Sequence, residues 1–118
     1  MAKENKISLE THGAVTILGI QGDITAFSEP LLNEAYATAN NQGTSKIILK
    51  FDPDAYINSG GIALLIQLLA QTKSKNQHIS ITGLSDHFKK IFNMVGITKF
   101  AKIYDTTEEA VEALAELK

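Results

Sequence analysis

A chain of 118 residues, 44% hydrophobic and 20% charged, has the composition of one ordinary folded domain rather than of a disordered segment. Eleven basic against thirteen acidic side chains leave a net charge of −2, which gives no broad field for nucleic acid or an anionic membrane. With no cysteine there is neither a disulfide nor a thiolate metal site, and the three histidines, His12, His78 and His87, are too scattered to suggest metal spacing.

The amino end, Met1 to Lys6, is polar and lacks the apolar stretch of a signal peptide. Ile7 and Leu9, then Val15, Ile17, Leu18 and Ile20, predict two strands, with His12-Gly13 as the hairpin turn between them. The second strand ends at Gly22-Asp23. Ser28-Glu29-Pro30 reads as a helix start, a capping hydroxyl with proline in the first turn, and Leu31, Leu32, Ala35, Tyr36 and Ala39 recur at helical spacing. Asn40 to Gly43 ends that helix. Ile47, Ile48, Leu49 and Phe51 form the short apolar run expected of a parallel strand buried on both faces.

After the turn Asp52-Pro53-Asp54, a second helix starts near Asn58-Ser59 and runs to about Lys75. Its apolar run from about Gly60 to Ala70, broken by Gln67, is too short to cross a bilayer. Ile79 and Ile81 alternate with polar residues as a strand. Ser85 caps a third helix carrying Phe88, Ile91, Phe92 and Val95, ended by Gly96. Lys99 to Tyr104 is a weak strand. Asp105 to Glu109 opens a last helix with acidic residues where the dipole favours them, and Val111, Leu114 and Leu117 are its apolar stripe. The order β-β-α-β-α-β-α-(β)-α implies an α/β fold in one domain, with right-handed crossovers, a mixed, mostly parallel sheet, an N-terminal hairpin and about four helices.

Tyr56-Ile57-Asn58-Ser59-Gly60-Gly61-Ile62 stands apart from the rest. Two adjacent glycines at a helix start need a reason, since each costs about 1 kcal/mol against alanine within a helix. Bare backbone lets another group approach closely, and a helix start offers free N–H groups and partial positive charge to an anion. A serine there is able to cap the helix, or to carry a phosphate of about −1.5 to −2 charges. The plainer reading makes Asn58 or Ser59 only a cap and the glycines only an aid to packing. Helical spacing sets Ile62, Leu65, Ile66 and Leu69 on the sheet side. Leu64 and Leu68 then fall nearly opposite, as an apolar strip beside the serine that either a partner or a neighbouring helix covers.

In this strand-turn-helix context, Asn58-Ser59-Gly60-Gly61-Ile62 resembles the Asp-Ser-Ser/Thr-Gly-Leu/Ile motif of the STAS domain, in particular of the bacterial anti-sigma factor antagonists. Gly22-Asp23-Ile24 resembles that family's Gly-Glu/Asp-Leu step. The helix from Phe88 to Val95 with Gly96-Ile97, and Asp105 to Ala110, are also similar, so the likeness extends along nearly the whole chain. It implies one STAS domain over residues 1–118. It sets Ser59 on the family's phosphorylated serine, Asn58 on the aspartate before it, Gly60 on the second hydroxyl residue and Gly61 on the glycine. The role implied is that of a protein that binds an anti-sigma factor, usually a GHKL-type serine kinase, while unphosphorylated. Phosphorylation of Ser59 by that kinase ends the binding, and a PP2C-type phosphatase restores it. Asp23, Asn58, Ser59, Gly60, Gly61 and Leu64 are the expected partner-binding residues. Asn58, Gly60 and Thr25 depart from the family pattern, Thr25 standing where many antagonists carry an aspartate.

Other classes fit less well. A hydrolase elbow needs Gly-x-Ser-x-Gly, but Ile57 stands at the first glycine, and neither His78 nor His87 has an orienting acid in view. A phosphate or nucleotide site has Asn-Ser-Gly-Gly at a helix start but no Walker lysine and no Gly-x-Gly-x-x-Gly. A STAS module serving another assembly, such as a stressosome-like scaffold or a transporter accessory, shares the fold with a different partner. The expectation is a cytoplasmic, non-catalytic interaction protein with no cofactor, no metal, no nucleic-acid partner and no membrane span.

Overall fold

The computed structural model describes residues 5–117, so the polar stretch Met1 to Glu4 lies outside the described residues. Strands β1 (Lys6–His12) and β2 (Val15–Gln21) form the N-terminal hairpin, and helix α1 (Glu29–Asn41) follows. Then come β3 (Lys46–Phe51), α2 (Ser59–Ser74), β4 (His78–Thr82), α3 (Asp86–Met94), β5 (Lys102–Ile103) and α4 (Thr107–Ala115). The five strands lie in chain order across one sheet; β1 is antiparallel to β2 and every later neighbour is parallel.

Side chains alternate across the sheet and build two cores. On one face Leu18, Ile20, Ile47, Leu49, Phe51, Ile79 and Ile81 pack with α1, α2 and α3. On the other, Val15, Ile17 and Ile48 meet Ala110 and Leu114 of α4. Strands β2 and β3 are therefore apolar on both faces, which is why they read as nearly unbroken hydrophobic runs. Among the described residues no helix is long and apolar enough to cross a membrane.

Four local expectations need correction. Ser28 holds the N-cap position of α1, with Pro30 in the first turn, but its hydroxyl makes no capping hydrogen bond to that helix. A 3-10 turn over Ala26–Ser28 precedes the helix, Thr25 caps that turn, and the Ser28 hydroxyl accepts from the Thr25 N–H (3.1 Å). Leu64 and Leu68 do not form an exposed strip. They are 6% and 2% exposed and share the buried stripe with Gly61, Leu65, Leu69 and Thr72, while Ile62 and Ile66 lie at its margins. Because α2 is apolar nearly all round, spacing alone left its rotation open; Ala63, Gln67, Ala70 and Gln71 are what it turns outward. The strand expected over Lys99 to Tyr104 shrinks to two residues, since Ile97–Lys99 closes into a 3-10 turn. Leu117 falls beyond α4 and is exposed; the buried positions of that helix are Ala110 and Leu114, with Val111 half-buried.

Candidate functional site

Where β2 and β3 end, their chains continue side by side. Ile24 and Ile57 form an isolated parallel bridge; the Ile24 N–H donates to the Tyr56 carbonyl (2.9 Å) and the Asn58 N–H to the Ile24 carbonyl (3.1 Å). Asp23 secures the same junction, its Oδ1 accepting from the Tyr56 N–H (3.0 Å). The segment after β2 is thereby zipped to the segment that enters α2. This is the carboxyl end of parallel strands, the position where α/β sheets usually place their sites.

Asn58 is the N-cap of α2. Its backbone is extended (φ −84°, ψ 178°) and its Oδ1 accepts from the Gly61 N–H (2.8 Å). The capping role belongs to Asn58, and Ser59 occupies the first helical position. The side chain of Ser59 is exposed, and its hydroxyl makes no hydrogen bond to any described residue. It stands at the positive end of a sixteen-residue helix, with the N–H groups of the first turn around it. An asparagine caps as well as an aspartate does but adds no charge, so the carboxamide at position 58 keeps the local fold intact.

The two glycines serve different ends. A Cβ on Gly61 would lie 2.3 Å from the Ile24 carbonyl oxygen, a separation that no side chain tolerates. Gly61 exists so that α2 can press onto the zipped segment, and it is buried. A Cβ on Gly60 would meet Ala26 at 3.2 Å, tight but less severe, and Gly60 keeps part of its surface open. The structure thus brings Asp23, Asn58, Ser59 and Gly60 together at one end of the sheet. It removes Gly61 and Leu64 from the accessible surface, because both face inward onto the Ile24 segment and the core.

Two aromatic residues at this end were given no role by sequence reasoning, Phe27 and Tyr56, the latter at the head of the Asn58-Ser59 segment. Phe27 is 92% exposed, in the 3-10 turn whose Ala26 abuts Gly60. Its N–H donates to the Thr25 hydroxyl (3.1 Å), which gives Thr25 a structural task at the position where the family pattern would put an acid. Tyr56 is 60% exposed, with its ring edge-on to Phe88 of α3 at 5.9 Å. The sequence held no clear sign of Phe27, since Ile24 and Leu31 at spacings of three and four make it look like a core residue. Among the described residues, no group of three or more acidic or histidine side chains is placed to hold a metal ion.

A five-stranded sheet with one antiparallel edge, four helices and an open serine at the start of α2 make up a small α/β module. Residues 6–110 match the model of the STAS domain, and the chain belongs to that family. It is similar to the anti-sigma-B factor antagonist of Staphylococcus aureus (strain NCTC 8325 / PS 47), with 22% identity over 89 residues, 75% of this chain and 82% of the relative. An anti-sigma factor antagonist from Mycobacterium paratuberculosis has the same fold, with a TM-score of 0.79, 17% identity and 96% of each chain covered. The anti-sigma factor antagonist SpoIIAA in its unphosphorylated form superposes with a TM-score of 0.70 at 17% identity, covering 95% of this chain and all of that one. The Bacillus SpoIIAA in its phosphorylated form gives 0.63 at 16%, covering 92% and 98%.

Proposed function

We propose that this chain is an anti-sigma factor antagonist of the cytoplasm whose binding is switched at Ser59. Unphosphorylated, it docks on an anti-sigma factor that is also a GHKL-type serine kinase; phosphorylated on Ser59, it is released; a PP2C-type phosphatase resets it. The observation that carries this reading is an exposed serine at the amino-terminal tip of α2 whose hydroxyl makes no hydrogen bond to any described residue. The similar proteins, an anti-sigma-B factor antagonist and a SpoIIAA solved in a phosphorylated form, support it.

The physical logic is one of desolvation. A docked partner excludes water from the tip of α2. A phosphate of about −1.5 to −2 charges trapped there without paired cations costs several kcal/mol, and every 1.4 kcal/mol is about tenfold in affinity. Asp23, held against the Tyr56 amide, adds negative charge to the same end. The domain has no need to refold. The test is incubation with candidate kinase partners and ATP, read by intact mass and peptide mapping, together with binding titrations of Ser59→Asp and Ser59→Ala. One added phosphate on Ser59 is expected, with Ser59→Ala binding and Ser59→Asp weakened. Equal binding by both variants, or a phosphate elsewhere, overturns the switch.

A further inference from the structure

Strand β1 is the outer edge of the sheet, and among the described residues no strand lies beyond it. Edge strands offer unpaired backbone N–H and C=O groups, and proteins that must stay apart blunt them with proline, bulges, brevity or charged side chains. The other edge follows that rule, since β5 has two residues. β1 has seven residues, contains no proline and pairs with β2 without a bulge from Lys6↔Gln21 to His12↔Val15, and the charges it carries, Lys6 and Glu10, are of opposite sign and so can pair across a two-fold rather than only repel.

Its sequence is also nearly a mirror of itself. Lys6-Ile7-Ser8-Leu9-Glu10 has a cation and an anion placed symmetrically about Ser8, with an aliphatic residue on each side. Opposite residues of an antiparallel pair share a face. When β1 meets β1 of a second copy antiparallel about Ser8, Lys6 of each copy opposes Glu10 of the other, and Ile7 opposes Leu9. Sliding the pairing by two residues sets Lys6 against Ser8 or His12, and parallel pairing in register sets like charge against like.

The two faces suit this register. Ile7 and Leu9 are half-buried and pack on the core beneath the three helices, so the pairing prolongs an apolar layer. Lys6, Ser8 and Glu10 are exposed on the opposite face, where α4 reaches β2, β3 and β4. Glu10 already approaches His12 (3.2 Å), and a carboxylate has acceptor sites for both His12 and an incoming lysine. We propose that two copies of this chain associate through β1, antiparallel about Ser8, into one continuous sheet locked by two Lys6–Glu10 pairs. The proposal does not rest on the reading of Ser59.

Sedimentation equilibrium from micromolar to millimolar protein tests it. The unaltered chain is expected to show a reversible monomer–dimer equilibrium. Lys6→Glu or Glu10→Lys alone sets like charges at both ends of the pairing and is expected to raise the dimer dissociation constant about tenfold or more. The combined exchange Lys6→Glu/Glu10→Lys recreates both pairs and restores the dimer. In a mixture of isotope-labelled and unlabelled chains, filtered NOE spectra give contacts between Ile7 and Leu9 of different copies. A monomer at every concentration, a dimer indifferent to both single reversals, or a failure of the combined exchange to rescue overturns the proposal.

Discussion

Ser59 and Gly61 are two residues apart and answer to different demands. Ser59 is exposed, and its hydroxyl makes no hydrogen bond to any described residue. Gly61 is fixed from within, because the Ile24 carbonyl oxygen lies 2.3 Å from where its Cβ would be. Alanine within an ordinary helix gains about 1 kcal/mol over glycine. Here that gain meets overpacking against backbone, which costs about 1–3 kcal/mol or more because a zipped segment cannot step aside as a flexible side chain does. Gly61→Ala is therefore expected to lower stability, measured by chemical denaturation, while Gly60→Ala, facing only the 3.2 Å approach to Ala26, changes it less. If Gly61→Ala proves as stable as the unaltered chain, the close docking of α2 on Ile24 is wrong.

At the scale of elements, the 3-10 turn Ala26–Ser28 acts as a mount. Thr25 and Ser28 satisfy each other's groups reciprocally, the Ser28 hydroxyl also donates to Asn5 Oδ1, and Phe27 is left outside the turn. A phenyl ring left 92% exposed buries little apolar surface in the isolated chain, and beside the tip of α2 it would serve the proposed docking as an anchor. Phe27→Ala is expected to leave unfolding free energy within about 0.5 kcal/mol of the unaltered chain. The same change is expected to weaken binding to a cognate anti-sigma factor by about tenfold or more, read by calorimetry. A large loss of stability, or unchanged binding, would remove Phe27 from the docking face.

Over the whole molecule, the switch proposed at Ser59 requires a rigid platform rather than a moving one. The parallel bridge Ile24↔Ile57, the Asp23–Tyr56 hydrogen bond and the Asn58 cap hold the tip of α2 independently of the serine hydroxyl. Phosphorylation is thus expected to act by charge at the surface and not by rearrangement. Amide chemical shifts of Ser59→Asp should differ from those of the unaltered chain only around the 23–28 and 56–62 segments. Shifts spread through β4, α3 or α4 would point instead to a conformational mechanism.

Much of this was legible along the chain because it depends on neighbours in sequence. The buried runs of β2 and β3, the cap at Ser85, the acidic first turn of α4 and the Asn58–Gly61 segment all declare themselves through local propensity and spacing. What the sequence could not settle depends on which surfaces meet. The rotation of α2, which buries Leu64 in the core, and the reason for Gly61, which is the approach of the Ile24 carbonyl, both depend on residues far away in the chain. The exposure of Phe27 was decided the same way, since nothing among the described residues comes to cover it. An apolar side chain states only its preference to leave water; whether it does so is set by the partner surface that long-range packing supplies.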